Sequence, residues 1–414
     1  MDKGQIQSRV SGDRLWSRLH AMAQFGGTAD GGVDRPALSD AEIQARAQLV
    51  AWGRDIGLRP FTDAIGNLFL RLPGKEEDLS PVLAGSHIDS QPTGGKYDGV
   101  YGVLAAMEAV QAIVESGSEL RRPVEIVAWT NEEGSRFAPG MNGSTAFCRP
   151  ETLPEILSIC DADEISVATA VERVLASDDD IPLRPLGRVT HCYIEPHIEQ
   201  ATALESAGRT IGVVSGIQGT RRYRIRIFGK AGHAGTEPME KRQDALIATA
   251  RAIEAMEAEA RGIEDFKFTV GMLEIKPNAP SVIPEEAYFS IDIRHPDSDA
   301  VDRMDGRIRE ILDAARGSCK VDLRQIAHAA SVMFCPDIQT RISDAADRLG
   351  VSSMPVFSAA GHDARQLSAF CPSGMIFIPC RGGISHNPAE QIEPDHALAG
   401  VRVLTQSVAE LAAE

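Results

Sequence analysis

The sequence predicts an α/β protein, in which a catalytic domain with a mostly parallel sheet flanked by helices is interrupted by an inserted smaller α+β domain. Three observations predict it. Two buried-strand patterns, PVLAGSHID (Pro81 to Asp89) and PVEIVAWT (from Pro123), enclose a helical run, and a strand, helix, strand order implies a parallel sheet. Each pattern stops abruptly at polar residues, where ligands bind in such sheets. The 414-residue length exceeds the roughly 250–300 residues at which a single core stops growing. Near Gly212 the pattern changes, and RRYRIRIFG alternates Tyr223, Ile225 and Ile227 against Arg222, Arg224 and Arg226, as a half-exposed antiparallel strand does.

The elements follow in order. A helical N-terminal segment precedes the strand that ends at His87. After a glycine-rich loop, Val100, Val103, Leu104, Met107, Val110, Ile113 and Val114 recur at helical spacing, and Gly117 suits the helix end. The second strand ends at Asn131-Glu132-Glu133. In the insert, Thr236-Glu237-Pro238 is expected to open a long helix, FKFTVGMLEI and EEAYFSIDIR to form strands, and Val301 to Ala315 to form a further helix. MPVFSAA and GMIFIPC return to the buried-strand pattern, and Leu398 to Leu411 is a terminal amphipathic helix. The expected division is residues 1–211 with 328–414 as the catalytic domain and 212–327 as the insert.

Composition narrows the function. A hydrophobic share of 43% and a charged share of 24% are those of an ordinary folded protein. The net charge of −17 opposes attraction to phosphate backbones and anionic lipids, so neither nucleic acid nor a membrane is an expected partner. MDKGQIQSRVSGDRLW lacks a secretory pattern and no long apolar run follows, so a cytoplasmic location is expected. Seven scattered cysteines without a C-x-x-C pair suggest reduced structural thiols, not a disulfide framework or a thiolate zinc site.

Five candidate metal ligands each end or follow a strand-like run: His87 in GSHID, Asp98 in KYDG, Glu133 in TNEEG, His197 in EPHIEQ and His386 in GISHNPAE. Imidazole and carboxylate suit Zn²⁺ or Mn²⁺, and one carboxylate can bridge two ions. Taken singly, a histidine is more often a structural hydrogen-bonder and a carboxylate a solvated surface group. The adjacent acids Glu132 and Glu133 follow an apolar strand, where desolvation demands a compensating metal or proton.

Read together, GSHIDSQPTGGKYDGVYGVLAAMEAV, WTNEEGSRFAPGMNGS, EPHIEQATALESAGRTIGVVSGIQG, GKAGHAGTEPM, RHPD, AGHDA and GISHNPAE closely resemble the hydantoinase/carbamoylase family of amidases, in order over nearly the whole chain. That family lies within the clan of dinuclear zinc aminoacylases and peptidases. The resemblance implies two divalent ions per subunit, Zn, Mn, Co or Ni, with Asp98 bridging, His87 and His197 completing one metal, and Glu133 and His386 the other. It implies that Glu132 is the catalytic base and that Asp89 orients His87. Gln200 is implied in the substrate pocket, Asn278 and Arg294 on the substrate carboxylate, and His233 in a lid and dimerisation domain, reaching the partner site of a homodimer. On residues alone, His233 is equally a turn histidine and Arg294 a surface partner of Asp292 or Asp297. His362 in AGHDA stays unassigned. The edge of the RRYRIRIF strand is the expected surface for a two-fold partner. Pro196, Ala201 and Ala359 depart from the commoner family wording without removing a ligand. The implied reaction is hydrolysis of the carbamoyl C–N bond of N-carbamoyl-L-amino acids or β-ureidopropionate. Allantoate or another ureide is the alternative, and a dipeptidase or a catalytically silent binding protein is the remoter one.

Overall fold

The computed structural model describes residues 3–414, so Met1 and Asp2 of the N-terminal stretch lie outside the described residues. The chain forms two compact units, one holding the chain up to Ser215 together with Met333–Glu414, the other Gly216–Val332.

The first unit is built on a nine-stranded sheet. Its centre is four parallel strands in the order Val124–Trp129, Val82–His87, Cys192–Ile198, Ser373–Ile378. These strands are buried along their length, as expected where helices cover both faces of a parallel sheet. Arg59–Thr62 and Leu68–Leu72 extend one side antiparallel, and Ile211–Ile217 pairs antiparallel with Ser373–Ile378 on the other. The crossover helix Val100–Glu115 is apolar on nearly every side and has thirteen buried residues, which places it inside the core rather than on its surface. The Pro394–Ala412 helix is similarly buried.

Strand order reverses direction around Val82–His87, since the next strand in sequence lies on one side and Cys192–Ile198 on the other. Such a reversal opens a crevice at the carboxyl ends of the strands. Register fixes what meets there. His87 is opposite Trp129, and continuing the pairing that begins at Val82 and Cys192 brings His197 level with His87.

The second unit holds a four-stranded antiparallel sheet in the order Lys320–Ala329, Gly219–Phe228, Glu286–His295, Lys267–Lys276. Helices Ala245–Arg261 and Ser298–Ala315 cover one face, where Tyr223, Ile225, Ile227, Phe289, Ile291 and Ile293 meet Met256, Met304 and Ile308. Two expectations are corrected here. RRYRIRIF lies inside Gly219–Phe228, which is paired on both sides and offers no edge; the edges are Lys267–Lys276 and Lys320–Ala329. Nor does a helix open at Thr236. Pro238 is extended, with φ −59° and ψ 143°, and the helix begins at Ala245, where Asp244 accepts the Ile247 N–H as a cap.

One buried charge cluster ties the site-bearing strand to its neighbours. Glu125, 1% exposed, accepts from Arg71 at 2.6 Å and from Arg184 at 2.8 Å, and the Arg184 guanidinium lies 3.4 Å from the Phe69 ring centroid. Removing the acid leaves two buried cations without compensation. Glu125→Leu is therefore expected to destabilise the protein by about 3–5 kcal/mol, read from urea denaturation midpoints. An unchanged midpoint would show that the cluster contributes nothing net.

Candidate metal centre

The four parallel strands deliver their polar residues to one place. His87 ends the first, Glu132 and Glu133 follow the second, His197 is the penultimate residue of the third, and His386 follows the fourth. Asp98 comes from the loop that enters the Val100–Glu115 helix. Two donor triads result, His87 with Asp98 and His197, and Asp98 with Glu133 and His386, with ligand atoms within 4.8 Å of one another in each. Asp98 belongs to both through different oxygens. Its Oδ1 lies 3.2 Å from His197 Nε2 and 3.8 Å from His87 Nε2, whereas Oδ2 lies 3.1 Å from His386 Nε2. His386 Nε2 is also 3.5 Å from Glu133 Oε2.

The imidazoles are oriented for coordination. His197 Nδ1 is 2.9 Å from the Ile198 carbonyl, and His87 Nδ1 is 3.0 Å from the Asp89 carbonyl, so each Nδ1 donates and each Nε2 faces Asp98, that of His197 also accepting the Gly99 N–H at 3.1 Å. Gly99 permits this packing. A Cβ there would meet the His87 ring at 2.4 Å, and its φ of +65° disfavours other residues. The Asp89 carboxylate is fully buried, 3.5 Å from His87 Nδ1, and accepts the N–H groups of Glu132 and Glu133 at 3.2 and 3.1 Å. It therefore fixes both the ligand strand and the tip of the next.

Electrostatics show what the cluster lacks. Burial holds the Glu132 carboxyl well above the usual carboxylate range, with His87 opposing and Asp363, Glu133 and Asp89 reinforcing. Burial and Asp98 push Glu133 up to about 7. Burial opposes ionisation of Asp98, yet hydrogen bonds from His197 and His386 hold it well below its usual value. The Asp98 bond raises His386 to about 9, and against the effect of burial His87 and His197 are raised by their acidic neighbours. Buried acids here recruit protons onto imidazole, and divalent cations supply the same positive charge without protons. The donors fit two such ions.

Several supporting residues escaped the sequence reading. Glu390, 2% exposed, accepts the Tyr97 and Asp98 N–H groups at 2.8 and 3.1 Å and lies 2.9 Å from Ser385 Oγ. Gln91 donates to Glu133 at 2.8 Å. Arg35, 1% exposed, donates to the Ile88, Met22 and Phe25 carbonyls and anchors the segment after His87. Glu390 had a signal, as the last residue of SHNPAE; Arg35, far upstream in sequence, had none. His362 is buried, its Nε2 3.1 Å from Ser358 Oγ and its ring 4.5 Å from that of His197. It packs against a ligand and lies outside both triads.

Residues 83–410 match the peptidase family M20/M25/M40. The chain belongs to this family. N-carbamoyl-L-amino-acid amidohydrolase of Rhizobium meliloti is 37% identical over 98% of this chain and 97% of its own length. Allantoate amidohydrolase of Escherichia coli (strain K12) is 33% identical over 94% of this chain and 96% of its own. A solved amidase of the hydantoinase/carbamoylase family from Burkholderia multivorans matches with a TM-score of 0.92 and 39% identity, covering 98% of this chain and 99% of that one. The M20 family is metal-dependent, in keeping with the two triads.

The remaining candidates divide between the units. Gln200 is in the first, with φ +56°, its Nε2 2.9 Å from Asp98 Oδ2 and 3.0 Å from Ser385 Oγ. His233, Asn278 and Arg294 are in the second. His233 is exposed, paired with Val282 across a short ladder, and accepts the Gly235 N–H at 3.0 Å. Arg294 donates to Asp292 at 2.8 and 3.0 Å, the surface pairing that its residues alone allowed. Asn278 follows Lys276, which is opposite Glu286, eight residues from Arg294 on the same strand. That is roughly 27 Å along the strand, so one small carboxylate cannot be gripped by both residues of one chain.

Sharing Asp98 makes a specific expectation. Asp98→Ala should retain fewer than one ion per chain after dialysis, by elemental analysis, because the loss leaves two cations without common negative charge. Two retained ions would refute the bridge.

Proposed function

We propose that this M20 chain hydrolyses the carbamoyl C–N bond of N-carbamoyl-L-amino acids or β-ureidopropionate. The observation that carries the reading is the pair of triads sharing Asp98 with the raised Glu132 carboxyl beside them, its Oε2 3.7 Å from His87 Nε2. The naming of the Rhizobium meliloti relative supports the substrate class. His87, Asp98 and His197 would hold one divalent ion, and Asp98, Glu133 and His386 the other, with Zn, Mn, Co and Ni as the candidates. When bound, such ions polarise the carbonyl under attack and lower the pKa of water.

Glu132 takes the proton of the attacking water and returns it to the departing nitrogen. Burial raises its pKa above the usual carboxylate range, which makes its ionised form a stronger base than a solvated carboxylate. Ammonia leaves, and the remaining carbamate decomposes to carbon dioxide and the amino acid. Asp89 keeps Glu132 and His87 in register, and Gln200 bounds the pocket beside Asp98.

The substrate carboxylate is assigned to Arg294 and Asn278, with His233 donating to the developing oxyanion. His233 and Asn278 stand near the same end of the second unit's sheet, since Ala234 N–H reaches the Ser281 carbonyl and His233 is opposite Val282. Arg294 stands at the other end, opposite Thr220. That separation favours a homodimer in which His233 serves the partner's site. The exposed edge Lys267–Lys276 is a surface a second copy can extend, with Met272 and Leu273 43% and 50% exposed.

Allantoate is the second reading, supported by the Escherichia coli relative, and a substrate panel scored by ammonia release with Mn²⁺, Co²⁺, Ni²⁺ or Zn²⁺ separates the two. Glu132→Gln should bind metal normally and lower kcat on the best substrate at least about a hundredfold. Near-normal turnover would remove Glu132 as the base. Mixing inactive His233→Ala with inactive Glu132→Gln chains under subunit exchange should restore activity, because one site of the mixed dimer then has both groups intact. Mixed dimers that form and stay inactive would confine His233 to its own chain.

A further inference from the structure

Within the first unit, away from the metal ligands, a cavity of about 270 Å³ is lined by residues of the 204–210 and 379–396 segments. That lies just under the roughly 300–1,000 Å³ of pockets for drug-sized ligands and suits a smaller one. Its charged lining is two cations, Arg209 and Arg381, and two anions, Glu205 and Glu393. Among the described residues none of these four forms an ion pair with another. Arg381 donates to Gln391 Oε1 at 3.0 Å, and Glu205 accepts the Gly382 N–H at 2.9 Å.

The cavity has further unmet polar capacity. His396 lines it, and its buried Nδ1 has no hydrogen-bond partner. The Pro394–Ala412 helix follows Glu393, whose side chain makes no capping bond; Pro394 has no N–H and Ala397 bonds the Glu393 carbonyl, which among the described residues leaves only the Asp395 and His396 N–H groups without a backbone partner. Glu205, Arg209, Arg381 and Glu393 are all exposed, so charges of both signs rim the mouth of the cavity without pairing with one another, an arrangement complementary to a small molecule that carries both.

We propose that this cavity binds a free amino acid, its carboxylate met by Arg209 and Arg381 and its ammonium by Glu205 and Glu393, and that occupancy lowers turnover. The class rests on the proposed function, in which an amino acid is the product. Both walls lead into the metal centre. Glu199 accepts the Ala203 and Leu204 N–H groups at 2.8 and 3.0 Å and so ties one wall to its neighbour Gln200. The other wall continues from Arg381 into Ser385 and His386, which lie 3.0 and 3.5 Å from Gln200 Nε2. A ligand bridging the walls fixes the spacing of Gln200 against His386 from behind.

Binding is read by equilibrium dialysis of labelled L-alanine and β-alanine with the metal-loaded protein, beside an Arg209→Ala/Arg381→Ala double variant whose melting temperature is checked. The wild type should show a saturable component whose affinity falls at least tenfold in the variant. Propionate and methylammonium, each carrying one charge, should compete at least tenfold less well than alanine. Added amino acid should lower wild-type kcat, and the variant should keep basal turnover while losing that effect. Identical isotherms for the two proteins, or propionate as effective as alanine, would overturn the site. Inhibition by competition alone would overturn the regulatory role. Dialysis scores the site even if no carbamoyl compound is turned over, so failure of the substrate panel with intact binding sinks only the proposed reaction.

Discussion

Everything in the catalytic unit depends on keeping Asp98 ionised and shared. A buried carboxylate is ordinarily driven to accept a proton, and Asp98 escapes this because an imidazole lies beside each of its oxygens. A bridging role needs that arrangement, since a carboxylate with one occupied oxygen can serve only one cation. The surrounding backbone is committed to it. Glu390 receives the Tyr97 and Asp98 N–H groups, and Gly99 leaves room for the His87 ring that a side chain would fill. The cluster is a concentration of negative charge in low dielectric, which makes it a poor contributor to stability and a strong attractor of cations.

Holding such a cluster together is the task of the parallel sheet. Strand ends alone would place ligands only to within a residue or so, and the finer placement comes from charges and dipoles one layer further out. Asp89 joins the tips of two strands, Arg35 fastens the backbone between His87 and Ser90 to the end of the Gly12–Met22 helix, and Glu195 links Ser86 to the Ala364 N–H. Arg35 illustrates the logic, because a guanidinium at a helix carboxyl end satisfies orphan carbonyls and also sets a positive charge behind an acidic site. Burial lowers its pKa to about 10, so it remains charged at neutral pH.

The sequence was legible where local pattern and tertiary role coincide. PVLAGSHID and PVEIVAWT read as buried strands because their apolar runs end in polar residues, and two of the five candidate ligands, His87 and Glu133, stand at those ends. Arg59–Thr62 and Leu68–Leu72 were missed, being short strands whose arginines read as surface until Glu125 is seen buried against Arg71. Lys320–Ala329 was missed for a related reason, since its apolar residues alternate with charge on a mostly exposed edge. RRYRIRIF looked like an edge because half of it is basic; it is central because the sheet's second face is open, so exposure of its arginines reflects the face and not the edge. Arg35 and the two hydrogen bonds that Asp89 accepts from the Glu132 and Glu133 N–H groups depend on contacts between distant segments, which no window along the chain contains.

Arg294 makes the bland contact that its neighbours in sequence allow. Its bonds to Asp292 occupy Nε and one Nη2 hydrogen, and Arg222 approaches the same carboxylate at 2.7 Å. Arg294 lies roughly 27 Å along the strand from the level of Asn278, so a substrate a few atoms long cannot touch both residues within one copy of the sheet.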